Sequence, residues 1–142
     1  MKTVKEVLDA KGRDHWSITP EASASEAASL MVDKEIGALL VMQQNNLLGL
    51  VSERDFARKL IASGRPSQEV PVAEVMATHV VCVRPEQGMD ECMALMTEKR
   101  VRHLPVLEDG RISGIVSIGD AVKSIIEDQQ FIIEQLETYI SS

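Results

Sequence analysis

The chain has 142 residues, 44% of them hydrophobic and 26% charged, proportions that suit one domain or two small half-domains on a shared core. A formal charge of -7 excludes a broadly basic surface, and with it nucleic acid or an anionic membrane as a main partner. "MKTVKEVLDAKG" has no apolar signal core and no later run nears the roughly 20 apolar residues of a membrane span, so a cytoplasmic protein is expected.

In chain order, "VKEVL" at 4–8 is predicted as a lead-in helix and "HWSI" as a short strand. "SASEAASLMVDKE" sets Ala27, Leu30, Met31 and Lys34 at helical spacing, with Ser23 and Glu26 placed as a capping box. "ALLVM" and "LLGLVS" are branched, apolar runs separated by the turn-forming "QQNN", which reads as a hairpin. Ser52 then stands at an N-cap, with Asp55 three residues on in the first turn of a closing helix.

The same order then repeats. Shifted by 65 residues, 19–60 lies on 84–125 without a gap: Gly49, Val51, Ser52 and Asp55 fall on Gly114, Val116, Ser117 and Asp120. The lead-ins match at an offset of 68, "VKEVL" on "VAEVM", so three extra residues sit in "DAKGRDHWSI". "HVVCV" is predicted as the second copy's short strand, and "LPVLE", "DG" and "ISGIVS" as its hairpin. The predicted fold is α/β (α+β): two repeats, each a small sheet with flanking helices, packed about a pseudo-two-fold axis because neither buries enough apolar surface alone. The boundaries read as 1–68 for the first repeat with its lead-in helix, 69–126 for the second, and 127–142 for a C-terminal helical extension. The run "AVKSIIEDQQFIIEQLETYI" at 121–140, which leads into that extension, is free of Gly and Pro; Ile125, Ile132, Leu136 and Tyr139 or Ile140 recur in it at helical spacing, and Ile126, Phe131 and Ile133 widen the stripe. It needs an apolar surface to lie on, its own core or another chain.

A strand that ends in Ser and enters a helix points free N–H groups and a positive dipole end at the neighbouring cleft, which favours anions. A carboxylate three residues on can accept hydrogen bonds from both cis hydroxyls of a ribose. The plainer reading is that Asp at the third helical position is capping chemistry whether or not anything binds. Cys82 and Cys92 lack any CxxC spacing and read as small buried hydrophobes in a reducing compartment. His15, His79 and His103 form no ligand spacing, so no metal is expected. No nucleophile stands beside a base and no Walker or GxGxxG loop occurs, which points away from an enzyme.

The duplicated unit, "RHLPV" at 102–106 and the two G-x-x-S-x-x-D endings resemble the tandem cystathionine-beta-synthase domain, the CBS pair or Bateman module, and most of all its stand-alone bacterial form. The resemblance spans Val4 to about Ile126. It implies a regulatory protein that senses an adenosyl ligand, AMP, ADP, ATP or NAD, with S-adenosylmethionine a lesser candidate. It also implies a homodimer that signals to a regulated protein not identifiable from the sequence. By the resemblance, Asp120 holds ribose and Ser117 anchors the ligand, adenine lies between Val80 and Ile115, and backbone near Thr78 reads its edge. Arg102, His103 and Arg54 match phosphate-contacting positions. Ser52 and Asp55 form the second cleft, where Gly37 and Ala38 replace the basic pair, so that cleft is expected to bind weakly, to bind a different ligand, or to stay empty. The alternative reading is a ligand-free interaction module whose working surface is the C-terminal helix.

Overall fold

Each hairpin is built the same way. In the computed structural model, which describes residues 1–141, β2 (Ala38–Gln43) and β3 (Asn46–Ser52) pair antiparallel, as do β4 (His103–Glu108) and β5 (Arg111–Ser117). The register shifts after Val41 in one and after Val106 in the other, positions 65 apart. Gln44 and Asp109 turn the hairpins at φ 56° and 53°. Before them, α2 (Ala24–Lys34) and α5 (Met89–Lys99) both end on a left-handed residue, Glu35 and Arg100, whose backbone N–H returns to Met31 and Met96 carbonyls. The 65-residue repeat is therefore a repeat of backbone geometry down to single dihedral angles.

The compact units do not follow the boundaries read from the repeats. Met1–Asp14 belongs with the chain from Val81 onward, as unit 1, and His15–Val80 forms unit 2. The lead-in helix of each repeat thus folds with the hairpin of the other. In unit 1, α1 (Val4–Lys11) is capped by Thr3 and docks through Val4 N–H to Gln87 O and Lys5 N–H to Pro85 O, both 2.8 Å, with Met89 N–H returning to Lys2 O. Its Val4, Val7 and Leu8 are buried with Val83, Met89, Cys92, Leu104, Val106 and Val116. In unit 2, the four-residue α4 (Val72–Val75) docks through Val72 N–H to Ala22 O (2.8 Å) and Ala73 N–H to Pro20 O (3.0 Å). There Val72 and Val75 join Ala24, Ala27, Met31, Leu39, Val41 and Val51. Burial of two or three such side chains, at about 1.5–3 kcal/mol each, outweighs what so short a helix gains from its own hydrogen bonds.

The hairpin glycines are the contact points. A Cβ on Gly114 would stand 2.9 Å from a Leu8 methyl, and one on Gly49 would stand 2.6 Å from Ala77 O and 2.7 Å from Met76 Sδ. Leu8 and Met76 are equivalents in the two lead-ins, so the glycine of each repeated phrase is the gap that admits the other repeat's lead-in.

Two expected elements differ. "HWSI" yields β1 (Ser17–Ile18), parallel to β2, but "HVVCV" yields only a bridge from Val83 to Val106. In unit 2 the parallel ladder is extended by Leu40 N–H to Trp16 O at 3.1 Å. The residue equivalent to Leu40 is Pro105, which has no N–H to give to Val81, so the ladder stops at Val83. The first closing helix is also short: α3 (Glu53–Asp55) passes into a π-helical segment, Phe56–Ile61. The second, α6 (Ile118–Ser141), runs unbroken through position 127, so the C-terminal extension is the closing helix itself. Its last expected residue, Ser142, lies outside the described residues. No described helix is long and apolar enough to cross a membrane.

Candidate functional site

In unit 1 the site forms where β5 runs into α6. Ser117 N–H donates to Asp120 Oδ2 at 2.8 Å, and Asp120 N–H donates to Ser117 Oγ at 3.3 Å. His103 pairs with Ser117 across the hairpin, Ile118 N–H reaches Arg102 O at 2.9 Å, and Ile115 is half-buried on β5 opposite Pro105. The structure therefore gathers Arg102, His103, Ile115, Ser117 and Asp120 at one end of a single hairpin. To these it adds a residue that the sequence reading did not nominate. Lys11, in the last turn of α1, donates Nζ to Asp120 Oδ2 at 2.6 Å, with Asp120 only 18% exposed.

Lys2, Ala10, Lys11, Asp120, Lys123 and Glu127 line a notch of about 60 Å³. Ligand pockets typically enclose about 300 Å³ or more, so this notch is too small to enclose a ligand of that size. The notch is rich in charge of both signs. Lys2 is hydrogen-bonded to Glu127, which raises the ammonium pKa and lowers that of the carboxyl.

Unit 2 holds the counterpart. Ser52 N–H donates to Asp55 Oδ2 at 2.8 Å, Ser52 Oγ lies 3.0 Å from the same oxygen, and Asp55 N–H returns to Ser52 Oγ at 3.4 Å, a complete capping box. Asp55 is also 18% exposed, with Lys59 Nζ 3.9 Å from Oδ1. Glu53 N–H reaches Gly37 O at 3.1 Å, as Ile118 reaches Arg102, so Gly37 occupies the position that carries the guanidinium in unit 1. Arg54 lies in the first turn of α3. Leu50 and Ala77 exchange backbone hydrogen bonds of 3.0 and 2.8 Å, which brings the segment with Thr78 and Val80 alongside β3.

The expected residues are thereby divided. Thr78, Val80, Arg54, Ser52 and Asp55 belong to unit 2, and Ile115, Arg102, His103, Ser117 and Asp120 to unit 1. The physical reason is the crossing of the lead-ins. In unit 1 the residues equivalent to Thr78 and His79 are Ala10 and Lys11, which are still part of α1, and Lys11 is the one that reaches the carboxylate. A basic residue ending a helix is too common a feature to have marked Lys11 as a site residue.

Burial raises the pKa of both cysteine thiols. Cys92 is fully buried on α5, and burial, followed by Glu91 and Asp90, pushes its thiol up to about 11. No cluster of His, Cys, Asp and Glu able to hold a metal ion occurs among the described residues.

Comparison with known proteins agrees with this geometry. The CBS-domain family profile matches twice, at residues 4–62 and 72–127. CBS domain-containing protein CBSX3, mitochondrial, from Arabidopsis thaliana is 33% identical over 97% of this chain and 71% of its own length. The structure of a protein with CBS domains from Burkholderia ambifaria, described provisionally as a signal-transduction protein, is 48% identical, with a TM-score of 0.87 over 90% of this chain and 96% of its own. A hexameric CBS-CP12 protein from bloom-forming cyanobacteria is 28% identical, with a TM-score of 0.76 over 85% of this chain and 70% of its own. With both repeats matched and the fold shared, the chain belongs to the CBS-domain family and carries two CBS domains.

Proposed function

We propose that this protein is a regulatory sensor of an adenine nucleotide or dinucleotide, AMP, ADP, ATP or NAD, and that it acts without catalysing a reaction or requiring a metal. Asp120 accepts the ribose hydroxyls, Ser117 anchors the ligand at the α6 start, and Arg102 and His103 meet its phosphates. Ile115 offers an apolar surface to the base. Ser52 and Asp55 offer a second, less basic seat, with Arg54 beside it and Thr78 and Val80 on the neighbouring segment. The observation that carries the reading is the pair of matched Ser-x-x-Asp seats, each with a carboxylate 18% exposed and oriented by its own backbone. In the seat of Asp120, Lys11 already marks the carboxylate as one that takes an external donor. A ribose displaces the Lys11 ammonium, which is then free for a phosphate. The ligand shifts the protein between shapes only as far as it binds one better than the other. The change is then passed to a regulated protein and across copies of the chain, as assembly in the hexameric relative suggests. Unpaired Cys82 and Cys92 suit a reducing compartment such as the cytoplasm.

The test is the melting temperature of the full chain against AMP, ADP, ATP, NAD and S-adenosylmethionine. A ligand at a hundred times its Kd adds about 2.7 kcal/mol, a visible rise. The expected result is a rise with at least one adenine ligand that is lost in Asp120→Ala. A rise that persists undiminished in both Asp120→Ala and Asp55→Ala would overturn the assignment of the seats, and no rise with any ligand would overturn the sensor reading.

A further inference from the structure

The two Ser-x-x-Asp seats orient their carboxylates alike but differ in the cation that meets them. At Asp120, the oxygen that accepts from the Ser117 N–H, Oδ2, also accepts from Lys11 Nζ at 2.6 Å. Lys11 lies 109 positions earlier in the chain, so tertiary packing brings it there, through the docking of α1 on its buried Val4, Val7 and Leu8. At Asp55 the cation is Lys59, four residues on in the same stretch of helix. Its Nζ stays 3.9 Å from Oδ1, and Oδ2 is left to Ser52.

The surroundings of Lys11 sharpen the difference. Three lysines, Lys2, Lys11 and Lys123, stand around the notch against two carboxylates, Asp120 and Glu127, a local positive surplus on a chain of net charge -7. Lys2 is hydrogen-bonded to Glu127, and Lys123 lies 3.9 Å from the same carboxylate. Both keep that partner whatever binds at Asp120. Lys11 does not, because a group that takes Asp120 takes the partner of Lys11.

We infer that Lys11 is a specificity-determining residue of the Asp120 seat, a tethered competitor that favours adenosyl ligands bringing a negative charge with them. The inference rests on the nucleotide reading and adds to it which members of the class bind. The cis hydroxyls of a ribose can replace the ammonium at Asp120, because a hydroxyl donates a hydrogen bond as an ammonium does. The exchange satisfies the carboxylate but leaves the ammonium without a counter-ion where positive charge is in surplus. A 5′-phosphate supplies one, since lysine carries a compact point charge on a flexible stem and pairs with phosphate through charge-assisted hydrogen bonds. Adenosine brings no charge and leaves the ammonium to water. S-adenosylmethionine is worse placed, because its sulfonium stands at the 5′ position of the ribose and repels the released ammonium. Lys11 is 38% exposed, so water screens part of the effect. The discrimination that remains is about tenfold, the worth of one hydrogen bond to a charged group.

Calorimetric titration of the full chain with AMP, ATP, adenosine and S-adenosylmethionine at one fixed ionic strength tests it. In the wild type a phosphorylated ligand binds most tightly, adenosine less so and S-adenosylmethionine least. In Lys11→Met adenosine binds more tightly and the nucleotides more weakly, so the ratio of their Kd values falls about tenfold, and S-adenosylmethionine gains the most. Lys11→Arg keeps the wild-type order. Lys5→Met removes the same charge from the same helix, but from a side chain paired with Asp9, and leaves the ratio unchanged. Protection of the hairpin amides at 103–117 against hydrogen exchange shows that the variants remain folded. A ratio that Lys11→Met does not move, or adenosine binding the wild type as tightly as the nucleotides do, overturns the inference and leaves the sensor reading standing. Binding of none of the ligands by the wild type or by Lys11→Met overturns both.

Discussion

Gly49 and Gly114 hold equivalent places in the two repeats, yet they face different neighbours. A methyl on Gly114 would press on the end of the Leu8 side chain, which can turn aside. A methyl on Gly49 would press on the Ala77 carbonyl, held by the reciprocal hydrogen bonds between Leu50 and Ala77. Overpacking of this kind costs about 1–3 kcal/mol. Both Gly→Ala variants are therefore expected to lower the urea midpoint, Gly49→Ala by more, and equal losses would show that the backbone at Ala77 yields as readily as a side chain. The sequence made these glycines visible by repeating them, but it did not give the reason for them. That reason is a contact with a segment more than twenty residues away in one case and over a hundred in the other. At the same scale, the carboxylates of Asp55 and Asp120 and their serine caps were legible, because an N-cap is a local device whose partners lie three residues apart. Lys11 was not, because its partner lies 109 residues away.

The elements were legible wherever local chemistry decided them. The helices with caps and the hairpins with turn residues formed where their patterns placed them, although at Ser23 only half of the expected capping box is present, the Glu26 N–H donating to Ser23 Oγ. The short strand at "HVVCV" shows the limit. Its sequence is as strand-like as any in the chain, but a strand needs a partner with donors, and Pro105 removes the donor at the position where Leu40 supplies one in the other unit. Pro105→Ala restores that N–H. Its amide is expected to become protected from hydrogen exchange to the degree of Leu40, through a bond to the Val81 carbonyl. An amide at 105 that exchanges as fast as an exposed one would refute this explanation of the missing strand. The π-helical stretch Phe56–Ile61 has no comparable signal in its sequence, and nothing in the structure explains it.

For the molecule as a whole, the two-repeat architecture could be read from self-similarity, while the exchange of lead-ins could not. An amphipathic helix states that it must be covered and is silent on which hairpin covers it. The exchange has a measurable signature. Leu8 is 1% exposed in the core of unit 1, so Leu8→Ala should cost about 2–5 kcal/mol. The loss should appear as reduced hydrogen-exchange protection in β4 and β5 of the second repeat, with β2 and β3 of the first left as they were. Protection lost in β2 and β3 instead would contradict the pairing of α1 with unit 1. The exchange also sets an order of assembly on the ribosome. Unit 2 is a continuous stretch of chain and can close once Val80 has emerged. Unit 1 must wait, its first helix synthesised before everything it needs, with Val4, Val7 and Leu8 left without their core until β5 is made. While the chain between α1 and β5 is being translated, α1 is without its partner, and a chaperone that holds short apolar helices has its window there.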